Sequence, residues 1–166
     1  MEERNINKFF KISKEEFDKV DEFNKYNTKY EDIKLPLRAT KGSGGYDFFA
    51  PYDIHIYPGR GVKIPTGIRV RLNQGRVLLC FPRSSLGFKY KLKLDNTVGV
   101  IDSDYFYSDN EGHIWVSMTN MSSDKVCYIQ KGDAMFQGII MPFELTIDDN
   151  VTNIRNGGFG STDKKN

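Results

Sequence analysis

Two short stretches of the chain carry more polar chemistry than a plain strand needs. One is Phe81-Pro82-Arg83-Ser84-Ser85-Leu86-Gly87-Phe88-Lys89, where an arginine is followed at once by two hydroxyls. A planar cation, two side-chain donors and a nearby glycine together suit phosphate oxygens. The same string also reads as a serine-rich turn. The other is Leu94-Asp95-Asn96-Thr97-Val98-Gly99-Val100-Ile101-Asp102-Ser103-Asp104-Tyr105. Residues from Asn96 to Asp102 fit a hairpin with polar groups at its mouth, although Asp102 and Asp104 equally suit turns closed by Asx hydrogen bonds. Three further segments stand apart from ordinary strand sequence. They are the glycine-rich run from Ala39 to Ala50, which contains Asp47; Lys131-Gly132-Asp133-Ala134-Met135-Phe136-Gln137; and the tail from Arg155 through Phe159, Gly160, Ser161 and Thr162 to Asn166. The tail is too rich in glycine to pack as a strand or helix. Terminal tails are commonly solvated, but a lone phenylalanine in one so polar fits better with an arm that orders over a ligand.

The elements that must hold these groups are mostly strands. Ile68, Val70 and Leu72 alternate with Arg69 and Arg71, the period-two signature of a half-buried strand. Val77, Leu79 and Phe81 alternate in the next run, as do Ile114, Val116 and Met118. Turn signals separate the runs at Tyr57-Pro58-Gly59, Asn73-Gln74-Gly75, Asn120-Met121-Ser122-Ser123 and Lys131-Gly132-Asp133. With no helical pattern recurring between strands, the expected class is an all-β sandwich or jelly roll. Before Pro36 the texture is helical. Ser13-Lys14-Glu15-Glu16 fits a capping box, Ile12 and Phe17 a hydrophobic staple, and Phe17, Val20, Phe23 and Tyr26 recur at intervals of three on one short amphipathic helix.

Composition narrows the function classes. Lys and Arg number 24 against 22 Asp and Glu, a net charge of +2. Nucleic acid as a main ligand calls for a clustered basic excess, so none is expected, while a compact nucleotide stays possible. Cys80 and Cys127 sit in apolar runs without metal-type spacing and read as buried structural thiols. No stretch approaches the roughly 18 apolar residues of a membrane span. Met1-Glu2-Glu3-Arg4-Asn5 leads to no apolar run, so the expectation is a soluble, cytoplasmic protein.

Taken in order, the five segments resemble the homotrimeric dUTPase family. Its usual motifs are A-x-x-x-x-A-G-Y-D, P-R-S-S-x-x-x-K, N-x-V-G-V-I-D-x-D-Y, G-D-x-x-x-Q and R-G-x-G-G-F-G-S-T-G. Counterparts of all five run from Ala39 to Asp163. The resemblance implies an all-β jelly-roll core over residues 31–146, an N-terminal helical extension over 1–30 and a C-terminal arm over 147–166. It implies a homotrimer with active sites shared between subunits, and magnesium-dependent hydrolysis of dUTP to dUMP and pyrophosphate. That reaction keeps uracil out of DNA and supplies dUMP for thymidylate synthesis.

By the same resemblance Asp102 is the base that deprotonates the attacking water, and Asp47 organises the site. Arg83, Ser84 and Ser85 contact phosphates, and Gln137 is the polar substrate contact of the fourth motif. Asn96, Val100 and Ile101 read uracil, and Tyr105 packs on deoxyribose. Phe159 stacks on the uracil face, Gly160 beside it also binds substrate, and Arg155, Ser161 and Thr162 hold the γ-phosphate. Magnesium (Mg2+) is held mainly by the triphosphate and waters, without a dedicated protein ligand set. Three departures from the pattern stand out: an extended Phe106–Glu111 segment followed by His113 in place of the usual glutamate, one residue fewer between Arg155 and Phe159, and Asp163 for the final glycine. His113 reads as a strand-start residue. A deaminase of dCTP on the same fold needs a glutamate in the strand after the third motif, and Ile114 to Thr119 offers none. A dUTP-sensing regulatory protein on this scaffold stays open, with the extended segment and the N-terminal helix as partner surfaces.

Overall fold

A computed structural model describes residues 6–155. The chain runs through β1 (Lys8–Lys11), α1 (Lys14–Asp18), α2 (Asp21–Lys25), β2 (Tyr46–Phe49), β3 (Ile54–Ile56), β4 (Gly61–Pro65), β5 (Ile68–Arg71) and β6 (Arg76–Pro82). It continues through α3 (Ser84–Tyr90), β7 (Leu92–Leu94), β8 (Gly99–Ile101), β9 (Trp115–Asn120), β10 (Cys127–Ile129) and β11 (Ala134–Pro142). The strands form small antiparallel sheets in the orders β2-β11-β6-β8, β4-β9-β7, β1-β5 and β10-β3. This is the expected all-β jelly roll.

Alternation produces the core where it was expected. Ile68, Val70 and Leu72 point inward, as do Ile114, Val116 and Met118. The inward face of β6 differs from the expected one. Leu78 and Cys80 are buried beside Val77, while Leu79 and Phe81 are only half-buried. β6 lies between β11 and β8 and is apolar on both faces, so its sequence alone does not mark the inner side. Both thiols are buried, and desolvation pushes Cys80 up to about 12 and Cys127 to about 11. Neither is a ready nucleophile at neutral pH.

The N-terminal segment departs further from expectation. Ser13 caps α1, its hydroxyl accepting from the Glu16 amide at 3.0 Å. The helix stops after five residues, and Val20 is extended (φ −88°, ψ 108°) before α2 begins. Apolar residues exactly three apart wind away from one side of a 3.6-residue helix. The break lets Phe17, Val20 and Phe23 all reach the core. Tyr26, at the end of that series, is exposed and stacks on Tyr52 with centroids 4.2 Å apart. Ahead of the helices, β1 pairs along β5 from Lys8 opposite Arg71 to Lys11 opposite Ile68. Phe9 and Ile12 therefore share one hydrophobic cluster with Phe48, Ile68 and Phe136. Among the described residues no helix is long and apolar enough to cross a membrane.

Candidate active site

Six of the expected site residues, Asn96, Val100, Ile101, Asp102, Tyr105 and Arg155, line one cavity of about 370 Å³. Its rim is the hairpin from Asn96 through β8, and its floor is apolar, from Leu94, Ile114 and Phe136. β8 pairs with β6 in the register Gly99–Cys80, Val100–Leu79 and Ile101–Leu78. That pairing fixes the hairpin, and Asn96, Val100 and Ile101 all line the cavity. The tip is tight: the Val98 amide donates to the Asn96 carbonyl at 2.7 Å, and Thr97 is left-handed at φ 68°.

Asp102 follows β8 and leads into a 3-10 turn, Ser103–Tyr107. The Tyr105 amide donates to the Asp102 carbonyl at 3.2 Å. This short turn brings the Asp102 carboxylate and the Tyr105 ring to the same cavity. Tyr105 is buried, and its hydroxyl donates to the His113 carbonyl at 2.8 Å while accepting from Asn110 Nδ2 at 2.9 Å. Burial raises its pKa, opposed by the Asn110 hydrogen bond.

At this cavity Arg155 reaches two carboxylates. Its Nη2 donates to Asp102 Oδ2 at 2.6 Å and its Nε to Asp104 Oδ1 at 3.0 Å. Carboxylates are strong charge-assisted acceptors for a guanidinium. Phe159, Gly160, Ser161 and Thr162 lie outside the described residues.

Arg83, Ser84, Ser85, Gln137 and Asp47 form a second group, none of it in the lining of that cavity. Neighbouring strands assemble it: in β11, Gln137 stands opposite Asp47 of β2 on one side and Phe81 of β6 on the other. Arg83 follows β6 directly; its Nε lies 3.1 Å from Asp47 Oδ1 and its Nη1 donates to the Ala134 carbonyl at 3.4 Å. Gln137 Nε2 donates to the Pro82 carbonyl at 3.2 Å. A Cβ at position 45 would sit 2.4 Å from Gln137 Oε1, so any larger residue there would displace the Gln137 amide. Ser84 and Ser85 are exposed in the first turn of α3.

His113 is no acid or base for this site. It is wholly buried, its Nε2 accepts from the Gly67 amide at 2.9 Å, and desolvation lowers its pKa to about 4. It holds the entry to β9, as its place in the sequence suggested. Sequence reasoning missed Asn110, the partner of the Tyr105 hydroxyl. It also missed Asp95, which accepts from Ser117 and Thr119 at the cavity edge. The Asp95 contacts join distant parts of the chain, and the Asn110 contact, though local, depends on how the loop after Tyr105 folds back, so neither leaves a signal in the sequence.

Comparison with known proteins agrees with this geometry. The dUTPase family profile matches residues 31–163. The deoxyuridine 5'-triphosphate nucleotidohydrolase of Lactococcus lactis is 42% identical over 140 residues, covering 81% of this chain and 93% of its own. The crystal structure of dUTPase from Streptococcus mutans superposes with a TM-score of 0.66 at 35% identity, over 83% of this chain and 97% of that one. A D95N mutant dUTPase from phage phi11 of S. aureus, described with a structural Mg(II) ion, shares the fold (TM-score 0.62, 20% identity, 90% and 98% coverage). Five ordered motifs, a jelly roll that brings one group of them to a cavity, and these relatives converge: the chain is an enzyme of the dUTPase family.

Proposed function

We propose that the protein hydrolyses dUTP to dUMP and pyrophosphate by attack of water on the α-phosphorus, with Asp102 as the base. The observation that carries this reading is the cavity on which Asp102, the Asn96–Ile101 hairpin and Tyr105 converge. Uracil enters against the hairpin, whose backbone groups match its edge and whose tight tip leaves no space for a thymine methyl. The Tyr105 ring walls the sugar and excludes a 2′-hydroxyl. The Asp102 carboxylate accepts the proton of the attacking water, oxygen adds to the α-phosphorus, and the bond to the pyrophosphate oxygen breaks. The reaction lowers dUTP, and with it uracil entry into DNA, and yields the precursor for thymidylate.

The phosphate-binding half comes from a neighbouring subunit of a homotrimer, in which each heterologous contact closes into a ring. There Arg83, Ser84, Ser85 and Gln137 meet the phosphates, with Asp47 fixing the angle of the Arg83 guanidinium through their ion pair. A triphosphate draws Arg155 off Asp102 and Asp104, freeing the base as the arm closes, with Phe159 and Gly160 over the uracil and Ser161 and Thr162 at the γ-phosphate. Magnesium fits as a companion of the triphosphate. Among the described residues no three His, Cys, Asp or Glu side chains gather closely enough to hold an ion alone, and Mg2+ favours phosphate and water oxygens. When bound, it offsets charge on the phosphate oxygens.

A panel of dUTP, dTTP, dCTP and UTP, followed by pyrophosphate release with magnesium present, tests this reading. Cleavage of dUTP far above the others is expected, because a site that overfills or leaves groups unpaired rejects analogues strongly. Equal rates on dUTP and UTP would remove the role of Tyr105, and ammonia release from dCTP would overturn the reaction.

A further inference from the structure

Residues 106–112 fold back beneath the catalytic turn. Glu111 is left-handed at φ 58°, and its carboxylate accepts from the Ser13 amide at 2.8 Å and the Ser13 hydroxyl at 2.5 Å. Arg69 Nη1 lies 3.3 Å from the same carboxylate, while Arg69 Nη2 donates to the Phe106 carbonyl at 2.8 Å. The guanidinium carbon sits 3.7 Å from the centroid of the Phe106 ring. Gly112 is left-handed too, at φ 72°, and a Cβ there would lie 2.6 Å from the Tyr105 carbonyl oxygen. A loop pinned at both ends in this way delivers one side chain to one place.

That side chain is Asn110. Its Oδ1 accepts from the Gly112 amide at 3.2 Å, which leaves Nδ2 facing the Tyr105 hydroxyl at 2.9 Å. The hydroxyl in turn donates to the His113 carbonyl, and the Asn110 carbonyl accepts from the His113 amide at 3.0 Å. We propose that Asn110 is a positioning residue that locks the Tyr105 ring and thereby sharpens rejection of ribonucleotides. The inference rests on the reading of Tyr105 as the sugar wall. Steric rejection of one hydroxyl requires the ring to stay within a fraction of an ångström, since a wall that yields slightly admits the extra oxygen. A phenol held by one donor and one acceptor has its tip fixed, whereas a phenol with the acceptor alone can pivot.

Asn110→Asp is the discriminating change. It keeps the shape and the acceptor for the Gly112 amide, but turns the donor facing Tyr105 into an acceptor. On dUTP and UTP, the ratio of kcat/KM values should fall roughly 3- to 10-fold, the range expected for one buried hydrogen bond. The fall should come mainly from faster use of UTP. Tyr105→Phe, made on the intact loop, removes this bond together with the one to the His113 carbonyl and should relax the ratio at least as much. Adding Asn110→Asp to Tyr105→Phe should then change it little further. An unchanged ratio in either single variant overturns the proposal, as does a full second loss in the double variant, which would assign Asn110 a role apart from the phenol. If the unaltered protein fails to cleave dUTP, both this inference and the functional reading fall. If it cleaves dUTP selectively and the variants keep that selectivity, only this inference falls.

Discussion

Two regions hold the chemistry of this chain, and they are built differently. Around Asp102, a hairpin and a 3-10 turn border a cavity with an apolar floor and a polar rim. Around Arg83, three strands bring an arginine, an aspartate and a glutamine together, with Ser84 and Ser85 open to solvent. The first can hold a base and a sugar but offers little to a triphosphate: its one basic group in the described lining, Arg155, is engaged by two carboxylates. The second has donors for phosphate but is not part of that cavity. Each region has groups that the other lacks, which is what the proposed site divided across a subunit boundary calls for.

Breaking either half should remove most of the activity. Asp102→Asn keeps shape while losing the proton acceptor, and turnover is expected to fall at least about 100-fold with substrate binding little changed. Arg83→Ala should cost a comparable factor but act on binding as well, since it removes a charge-assisted phosphate contact. Steady-state kinetics on the two variants separates the halves: a loss confined to kcat for Asp102→Asn, a loss shared with KM for Arg83→Ala. A kcat near that of the unaltered protein for Asp102→Asn would mean that another group activates the water.

Truncation after Asn150 sharpens the contrast between the site and the core. Beyond Pro142, Leu145, Ile147, Val151 and Ile154 are exposed and contribute little to packing within the chain. The shortened protein should melt within a few degrees of the full chain and hydrolyse dUTP poorly. A melting temperature that collapses would make the segment structural, and full turnover would make it a passive tail.

The frame of the cavity is sensitive to acid through His113. Burial depresses its folded-state pKa to about 4 from 6.5, so the unfolded chain takes up the proton first. Its contribution to stability is complete above about pH 6.5 and is lost as pH falls toward 4, a change of roughly 3 kcal/mol at 1.36 kcal/mol per unit. Urea midpoints between pH 7 and 4.5 should therefore fall more steeply for the unaltered protein than for His113→Gln. Parallel profiles would mean that carboxylates alone set the acid limit.

Much of this was legible in the sequence, because the signals were local. Period-two runs at Ile68–Leu72 and Ile114–Met118 marked strands, and Ser13 with Glu16 marked a helix start. What stayed hidden depended on how the chain folds in three dimensions. β1 has only four residues, Lys8-Phe9-Phe10-Lys11, too few to show alternation, and it becomes a strand by pairing with β5. The reciprocal partner of Ser13 is not Glu16 but Glu111, almost a hundred positions away. The extended segment after Tyr105 looked like a departure from the family pattern, yet it supplies Asn110 to the tyrosine. The grouping of Arg83 with Asp47 and Gln137 followed from motif order only as separate contacts; their adjacency comes from strand register.

The division of the site between subunits has one direct test, which pairs two disabled chains. Asp102→Asn and Arg83→Ala, each nearly inactive alone, are co-expressed or mixed under conditions that allow subunits to exchange. If each site takes Asp102 from one subunit and Arg83 from another, random mixing restores both to roughly a quarter of sites. Recovery of dUTP hydrolysis to about that share of the unaltered rate is the predicted result. Mixed oligomers confirmed by mass, with activity no higher than the two variants measured apart, would contradict a shared site and return both halves to a single chain.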